Sequence, residues 1–181
     1  MRKSLYILGQ LTDEDIEWML SFGKRHSISP GDVLIRQGHQ VEDLYLILEG
    51  TFKVIDEQRG GHELARVGGG EIVGEMSFID ANPPSATVTA VEDGLVLALS
   101  RNLLQQRLEQ DTAFGSRFYY ALAVFLSDRL RATEARLSRG QDYAPHDEDT
   151  IEEDELDPNV LDKVHLAGAR FKHMLDRLTN S

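Results

Sequence analysis

The sequence predicts an α+β fold: an antiparallel, double-layered β-roll of jelly-roll type, flanked by helices and followed by a long amphipathic helix. Three observations carry this reading. Apolar residues recur at helical spacing before residue 23. From 28 to 99 the period changes to two, and glycine-rich turns separate short segments. After Leu99 helical spacing returns and persists.

The first helix starts at Thr12, whose side chain can cap Asp13, Glu14 and Asp15, acids that favour the positive end of a helix dipole. Ile16, Met19 and Leu20 follow on one face, and Gly23 ends the helix. The expected strands are Val33 to Arg36, Leu44 to Glu49, Thr51 to Asp56, Glu63 to Val67, Ala86 to Val91 and Gly94 to Leu99. Between two of them, Asp56-Glu57-Gln58-Arg59-Gly60-Gly61 is a hairpin signal, because glycine takes positive φ without a Cβ clash. Ser100 is the expected N-cap for a helix from Asn102 to Glu109. A longer helix is predicted from about Ala113 to Leu137, with Phe118, Leu122, Phe125, Leu126, Leu130 and Leu137 on one stripe and Gly140 closing it.

Charge divides the remainder. The chain of 181 residues carries a formal charge of −12, and its segment 141–157 holds acidic residues but no lysine or arginine. Such a block reads as a solvated linker. Asp157 as N-cap and Pro158 at the first helical position then start another helix, with Val160, Val164, Ala167, Phe171, Met174 and Leu178 in a coiled-coil-like seam. The expected organisation is a helical segment 1–22, a β-roll 23–110, a long helix 111–139, an acidic linker 140–157 and a C-terminal amphipathic helix 158–181. That last seam packs either on its own domain or on a partner or second subunit.

Composition excludes several functions. There is no cysteine, which removes disulfides, thiolate metal sites and cysteine nucleophiles. Six histidines are present, but none as His-x-His, so the metal-binding variety of β-roll is not expected. No Gly-x-Ser-x-Gly, P-loop or His-Glu-x-x-His occurs, and the chain reads as a non-enzyme. No apolar run reaches the roughly 18 residues of a membrane span, and a signal peptide is not recognisable, so a cytoplasmic protein without membrane insertion is expected. The acidic surplus speaks against nucleic acid as a partner.

The most informative stretch runs from Gly70 to Val88, Gly-Glu-Ile-Val-Gly-Glu-Met-Ser-Phe-Ile-Asp-Ala-Asn-Pro-Pro-Ser-Ala-Thr-Val. A strand ends at Gly74, a short helical turn begins, and a proline-containing loop leads through Ser85 and Ala86 into another strand. Backbone donors at the turn, a serine hydroxyl and Glu75 together suit a ribose phosphate, since the donors meet the anion and the carboxylate accepts from sugar hydroxyls. The same residues admit structural readings: Glu75 as a solvated acid, Ser85 as a turn cap, the glycines as turn formers.

This order of elements resembles the cyclic nucleotide-binding domain of the catabolite activator protein, protein kinase A regulatory subunits and cyclic-nucleotide-gated channels. Pro30-Gly31-Asp32-Val33-Leu34-Ile35-Arg36-Gln37-Gly38, Leu44 to Gly50 and Gly74-Glu75-Met76-Ser77 carry the resemblance, which covers roughly residues 10 to 139. It implies cyclic AMP or cyclic GMP as ligand and no separate cofactor. Gly74 would turn the chain into the cassette and Glu75 would bind the ribose 2′-hydroxyl. Backbone N–H groups near Met76, Ser77 and Ala86 and the Ser85 hydroxyl would bind the cyclic phosphate. Thr133, on the long helix, would read the purine edge; the alternative is a polar residue at a helix interface.

One departure stands out. The family places a phosphate-clamping arginine immediately before the serine, and here Pro84 occupies that position. Losing such a partner weakens binding by roughly 2 to 5 kcal/mol, or about 30- to several-thousand-fold, unless another base substitutes. Arg36 and Arg66 are the first candidates. The chain after Gly140 leaves no room for the winged helix-turn-helix that the family's transcription factors carry. The expected function is therefore a regulatory, homodimeric sensor that signals through its long and C-terminal helices to a protein partner. The alternative is a ligand-free interaction scaffold or targeting adaptor.

Overall fold

A computed structural model describes residues 6–138 and 158–179; Gly140, the acidic linker 140–157 and its Asp157 cap lie outside the described residues. The chain forms two compact units, Phe22–Gln105 and the pair of segments Met1–Ser21 with Gln106–Ser181.

The first unit is the β-roll. Its strands are β1 (Lys24–Ile28), β2 (Val33–Ile35), β3 (Asp43–Glu49), β4 (Thr51–Asp56), β5 (His62–Gly68), β6 (Ile72–Val73), β7 (Thr87–Ala90) and β8 (Gly94–Ser100). They make two antiparallel four-stranded sheets, ordered β1-β8-β3-β6 and β2-β7-β4-β5. Ile47, Val73 and Val96 of the first sheet meet Ile35, Phe52, Val67, Val88 and Ala90 of the second in one buried cluster. Each large apolar side chain taken out of water there contributes roughly 1.5 to 3 kcal/mol. The β4–β5 connection is the expected hairpin, closed by a 3-10 turn at Glu57–Arg59 that Asp56 caps by accepting from the Gln58 amide.

Two strands are absent from the sequence reading. β1 is Lys-Arg-His-Ser-Ile with its first four residues exposed, so it shows no apolar alternation; its place comes from backbone pairing with β8, Lys24 opposite Ala98 through Ile28 opposite Gly94. β6 has two residues, too few for any period.

The second unit is helical. It contains α1 (Tyr6–Gln10), α2 (Asp13–Phe22, up to Ser21), the end of α4 (Arg101–Gln110), α5 (Thr112–Ser138) and α6 (Pro158–Thr179); the short α3 (Glu75–Asp80) belongs to the roll. α2 opens with a reciprocal capping box: the Asp15 amide donates to Thr12 Oγ1 at 3.2 Å and the Thr12 amide donates to Asp15 Oδ2 at 2.8 Å. Between α4 and α5 stands one residue, Asp111, whose carboxylate caps α5 by accepting from the Phe114 amide at 2.9 Å. The Arg107 guanidinium lies over the rings of both Trp18 and Phe114, at 5.8 and 5.5 Å from their centroids.

The α5 stripe is buried at Phe118, Leu122 and Phe125, joined by Phe114, but Leu130 departs from it at 60% exposure. In its described part α6 packs on its own chain, against α1, with Ala167 and Met174 fully buried. Its outer contacts are polar. Arg170 pairs with Asp13 at 2.7 Å and donates to the Leu8 carbonyl at 2.9 Å, while His173 and Arg177 both reach Glu17.

Candidate functional site

The segment 74–87 of the roll holds all but one of the sequence-derived candidates. β6 delivers Gly74 in the left-handed region, φ 89°, where a side chain would be strained; an added Cβ would also come within 3.2 Å of the Asp43 carbonyl oxygen. α3 follows directly, and the Phe78 amide donates to the Gly74 carbonyl at 3.0 Å. Its N-cap is Gly74, which has no side chain to cap the first turn. The helix turns Glu75 and Ser77 inward, at 3% and 5% exposure, and leaves Met76 outside at 55%. Glu75 is thus a buried acid, against the solvated reading.

Ala81, at φ 59°, ends α3 in the left-handed region, and its amide donates to the Ser77 carbonyl at 3.1 Å. Asp80 then clasps Asn82, accepting from its amide and from Nδ2, both at 2.9 Å. These bonds to Asn82, the side-chain one foremost, hold the Asp80 carboxyl below the usual carboxylate range. Pro83 and Pro84 carry the chain to Ser85, which is exposed, and Ala86, which is half-buried.

Thr133 belongs to the helical unit. It is exposed on α5, and its hydroxyl donates to the Arg129 carbonyl at 2.8 Å.

A polar network beside Ser85 has no counterpart in the sequence reading. Thr87, fully buried, donates from its hydroxyl to Glu57 Oε1 at 2.7 Å and accepts from the Gln37 amide at 2.9 Å. The Gln37 side chain donates to Asp56 Oδ1 at 3.0 Å and accepts from the Glu57 amide at 2.7 Å. The Gln37 bond is the main reason the Asp56 carboxyl is lowered. One further bond, from the Gly38 amide to the Pro84 carbonyl at 2.9 Å, fastens the same loop to the proline itself. The partners are up to fifty residues apart, so no local motif marks them.

Of the two arginines considered as substitutes for the clamp, Arg66 donates from Nε to Glu63 at 2.7 Å. Arg36 is exposed, on the loop that these bonds fasten to 84–87. No group of three or more His, Asp or Glu residues able to hold a metal ion occurs among the described residues.

The model of the family described as the cyclic nucleotide-binding domain matches residues 25–111. The cyclic AMP receptor protein of Thermus thermophilus is 34% identical over 129 residues, 70% of this chain and 58% of that protein. The type II regulatory subunit of cAMP-dependent protein kinase from Drosophila melanogaster is 28% identical over 65% of this chain and 30% of its own length. The chain thus spans well under two thirds of either curated relative. Among solved structures, a cyclic nucleotide-binding domain from Methylobacillus flagellatus superposes with a TM-score of 0.69 at 28% identity, covering 77% of this chain and 83% of that one.

Proposed function

The chain belongs to the cyclic nucleotide-binding domain family through residues 25–111, and on that premise we propose that it is a non-enzymatic regulatory sensor whose ligand is cyclic AMP or cyclic GMP. The observation that carries the ligand site is the cassette: Gly74 in a conformation that favours glycine, followed by a buried Glu75 at the head of α3. In this reading Glu75 accepts from the ribose 2′-hydroxyl. The amides near Met76, Ser77 and Ala86, with the Ser85 hydroxyl, take the phosphate, and Thr133 reads the base. Residues 23–110 sense, 111–139 transmit, and 158–181 follow the linker 140–157 as an output helix.

The output is a population shift in which ligand favours one arrangement of cassette and helix, because a ligand moves an equilibrium only by its differential affinity for the two states. α5 exposes Tyr119, Tyr120 and Leu130 at 51%, 57% and 60%, which supports a homodimer formed through this helix, with a protein partner receiving the signal. No described helix is long and apolar enough to cross a membrane, and a cytoplasmic setting without nucleic-acid contact belongs to the same proposal.

Isothermal titration with cyclic AMP and cyclic GMP tests the sensor; no heat at millimolar ligand sinks it. A second reading, a ligand-free scaffold or targeting adaptor, is favoured by one observation, Pro84 in place of the clamp. It predicts silent titrations together with partner capture in a pull-down that is lost on deleting residues 141–181.

A further inference from the structure

The loop after β2 is held against residues 84–87. Ile35 sits opposite Val88, the Gln37 amide bonds Thr87 Oγ1 at 2.9 Å, and the Gly38 amide bonds the Pro84 carbonyl at 2.9 Å. His39 is the next residue; its amide closes a turn on the Arg36 carbonyl at 3.2 Å, and the Gly38 bond holds that turn close to the loop that carries Ser85. Its ring is fixed in one sense: Nδ1 lies 3.0 Å from the Gln37 carbonyl oxygen. A carbonyl only accepts, so Nδ1 carries the proton and Nε2 is left as the outer nitrogen. In the neutral ring Nε2 is a bare acceptor and repels a phosphate oxygen. In the imidazolium it becomes a charged donor.

We propose that His39, assisted by Arg36 on the same exposed loop, is the cationic side of the anion site bordered by Ser85, replacing the charge that Pro84 cannot supply and coupling cyclic nucleotide binding to protonation of one imidazole. The inference rests on the cyclic nucleotide reading above. Other charges surround this loop. Asp56 and Glu57 stand on the β4–β5 turn joined to Gln37, with Arg59 paired to Asp56 at 3.4 Å. Asp80 heads the 81–86 loop, and Glu42 and Asp43 follow on the approach to β3. Arg36 supplies a charge independent of pH.

The test is isothermal titration of the full chain at pH 6 and pH 8 with cyclic AMP and with adenosine, which lacks the phosphate. Wild type and His39→Gln are compared. In the wild type, cyclic AMP binds roughly tenfold or more tightly at the lower pH, the size of one charge-assisted hydrogen bond, and adenosine does not change. His39→Gln removes the pH dependence for cyclic AMP and leaves adenosine alone. Because His39 is exposed, its thermal midpoint stays at the wild-type value. Equal cyclic AMP affinity at both pH values, or a pH dependence retained by His39→Gln, overturns the assignment and leaves the sensor standing. Absence of wild-type binding at either pH removes the sensor, and this assignment with it.

Discussion

Asp15 and Arg117 are joined at two points: Nε donates to Oδ2 at 2.8 Å and Nη2 to Oδ1 at 2.9 Å. The carboxylate is 1% exposed, and the same group closes the Thr12 capping box, so one acid both starts α2 and ties it to α5. Asp15 also sits on the hub of the helical unit, because its neighbours Asp13 and Glu17 on α2 hold Arg170, His173 and Arg177 of α6.

Asp15→Asn keeps the size of the side chain and removes its charge. Burial pushes the Asp15 carboxyl up, but the Arg117 hydrogen bonds, the Thr12 amide and hydroxyl and the arginine charge together outweigh it, and the net shift is downward. A lowered carboxylate contributes stability that is present above the unfolded pKa and is lost as pH falls through the folded one. The variant therefore costs most at neutral pH, about 2 to 4 kcal/mol, reduced below the full range for a buried pair because Arg117 is 31% exposed. Urea unfolding at pH 7 and at pH 3 checks this. The gap between wild type and variant narrows at the lower pH.

Gly74 and Gly38 both have positive φ, 89° and 76°, yet differ in surroundings. A Cβ at Gly38 meets nothing within 4 Å, whereas one at Gly74 meets the Asp43 carbonyl at 3.2 Å with Ile35 and Val41 just behind. Gly38→Ala bears the backbone penalty alone, roughly 1 kcal/mol, and Gly74→Ala adds a displacement of β6 from β3 for a total of about 2 to 3 kcal/mol. Differential scanning calorimetry separates them. Since the displaced residue opens α3, Gly74→Ala also weakens any cyclic nucleotide binding.

Met174 is fully buried where α6 meets the rest of the helical unit. Truncation to alanine costs about 2 to 4 kcal/mol, as for other buried methionines, and most of that loss falls on the attachment of α6. Amide hydrogen exchange over residues 165–179 reads it directly, rising in Met174→Ala while the strands of the roll keep their protection. The surrounding pairs reinforce the same attachment at moderate pH. The His173 hydrogen bond is the main cause of a lowered Glu17 carboxyl, so this contribution is present above the usual glutamate range and fades as Glu17 protonates.

The elements legible in the sequence are those whose burial shows as a period or whose turns need glycine. β4 matches to the residue, the hairpin after it sits at Asp56–Gly61, and Thr12, Gly74 and Pro158 mark helix starts. β1 was invisible because an edge strand of exposed polar residues is specified by its partner's backbone and not by its own side chains. Leu130 shares the α5 stripe by spacing yet is exposed, because periodicity says which residues share a face, not where the cover over that face ends. At the candidate site the cassette was readable from Gly74 to Ser77, where neighbours in sequence are neighbours in space. Gln37, Thr87 and Glu57 were not, since their bonds cross between loops and each residue alone is an ordinary polar one.

Pro84→Arg restores the residue type that the family resemblance places before the serine. The Pro84 nitrogen donates nothing, so the substitution removes no hydrogen bond of that residue's amide, and the Pro84 carbonyl that accepts from Gly38 is kept. The new guanidinium enters a loop already bordered by Glu57, which is bonded to Thr87, and by Asp56, so it has carboxylates to pair with before any ligand arrives. Part of its charge is spent there, and the gain falls toward the lower end of what a clamp arginine provides, about 30-fold in cyclic AMP affinity. The thermal midpoint changes little, because Pro84 is only partly buried. Titration of the variant beside the wild type checks the gain. If Pro84→Arg binds cyclic AMP no better than wild type, Pro84 is not what limits affinity, and the cassette of this chain is not shaped to receive the phosphate.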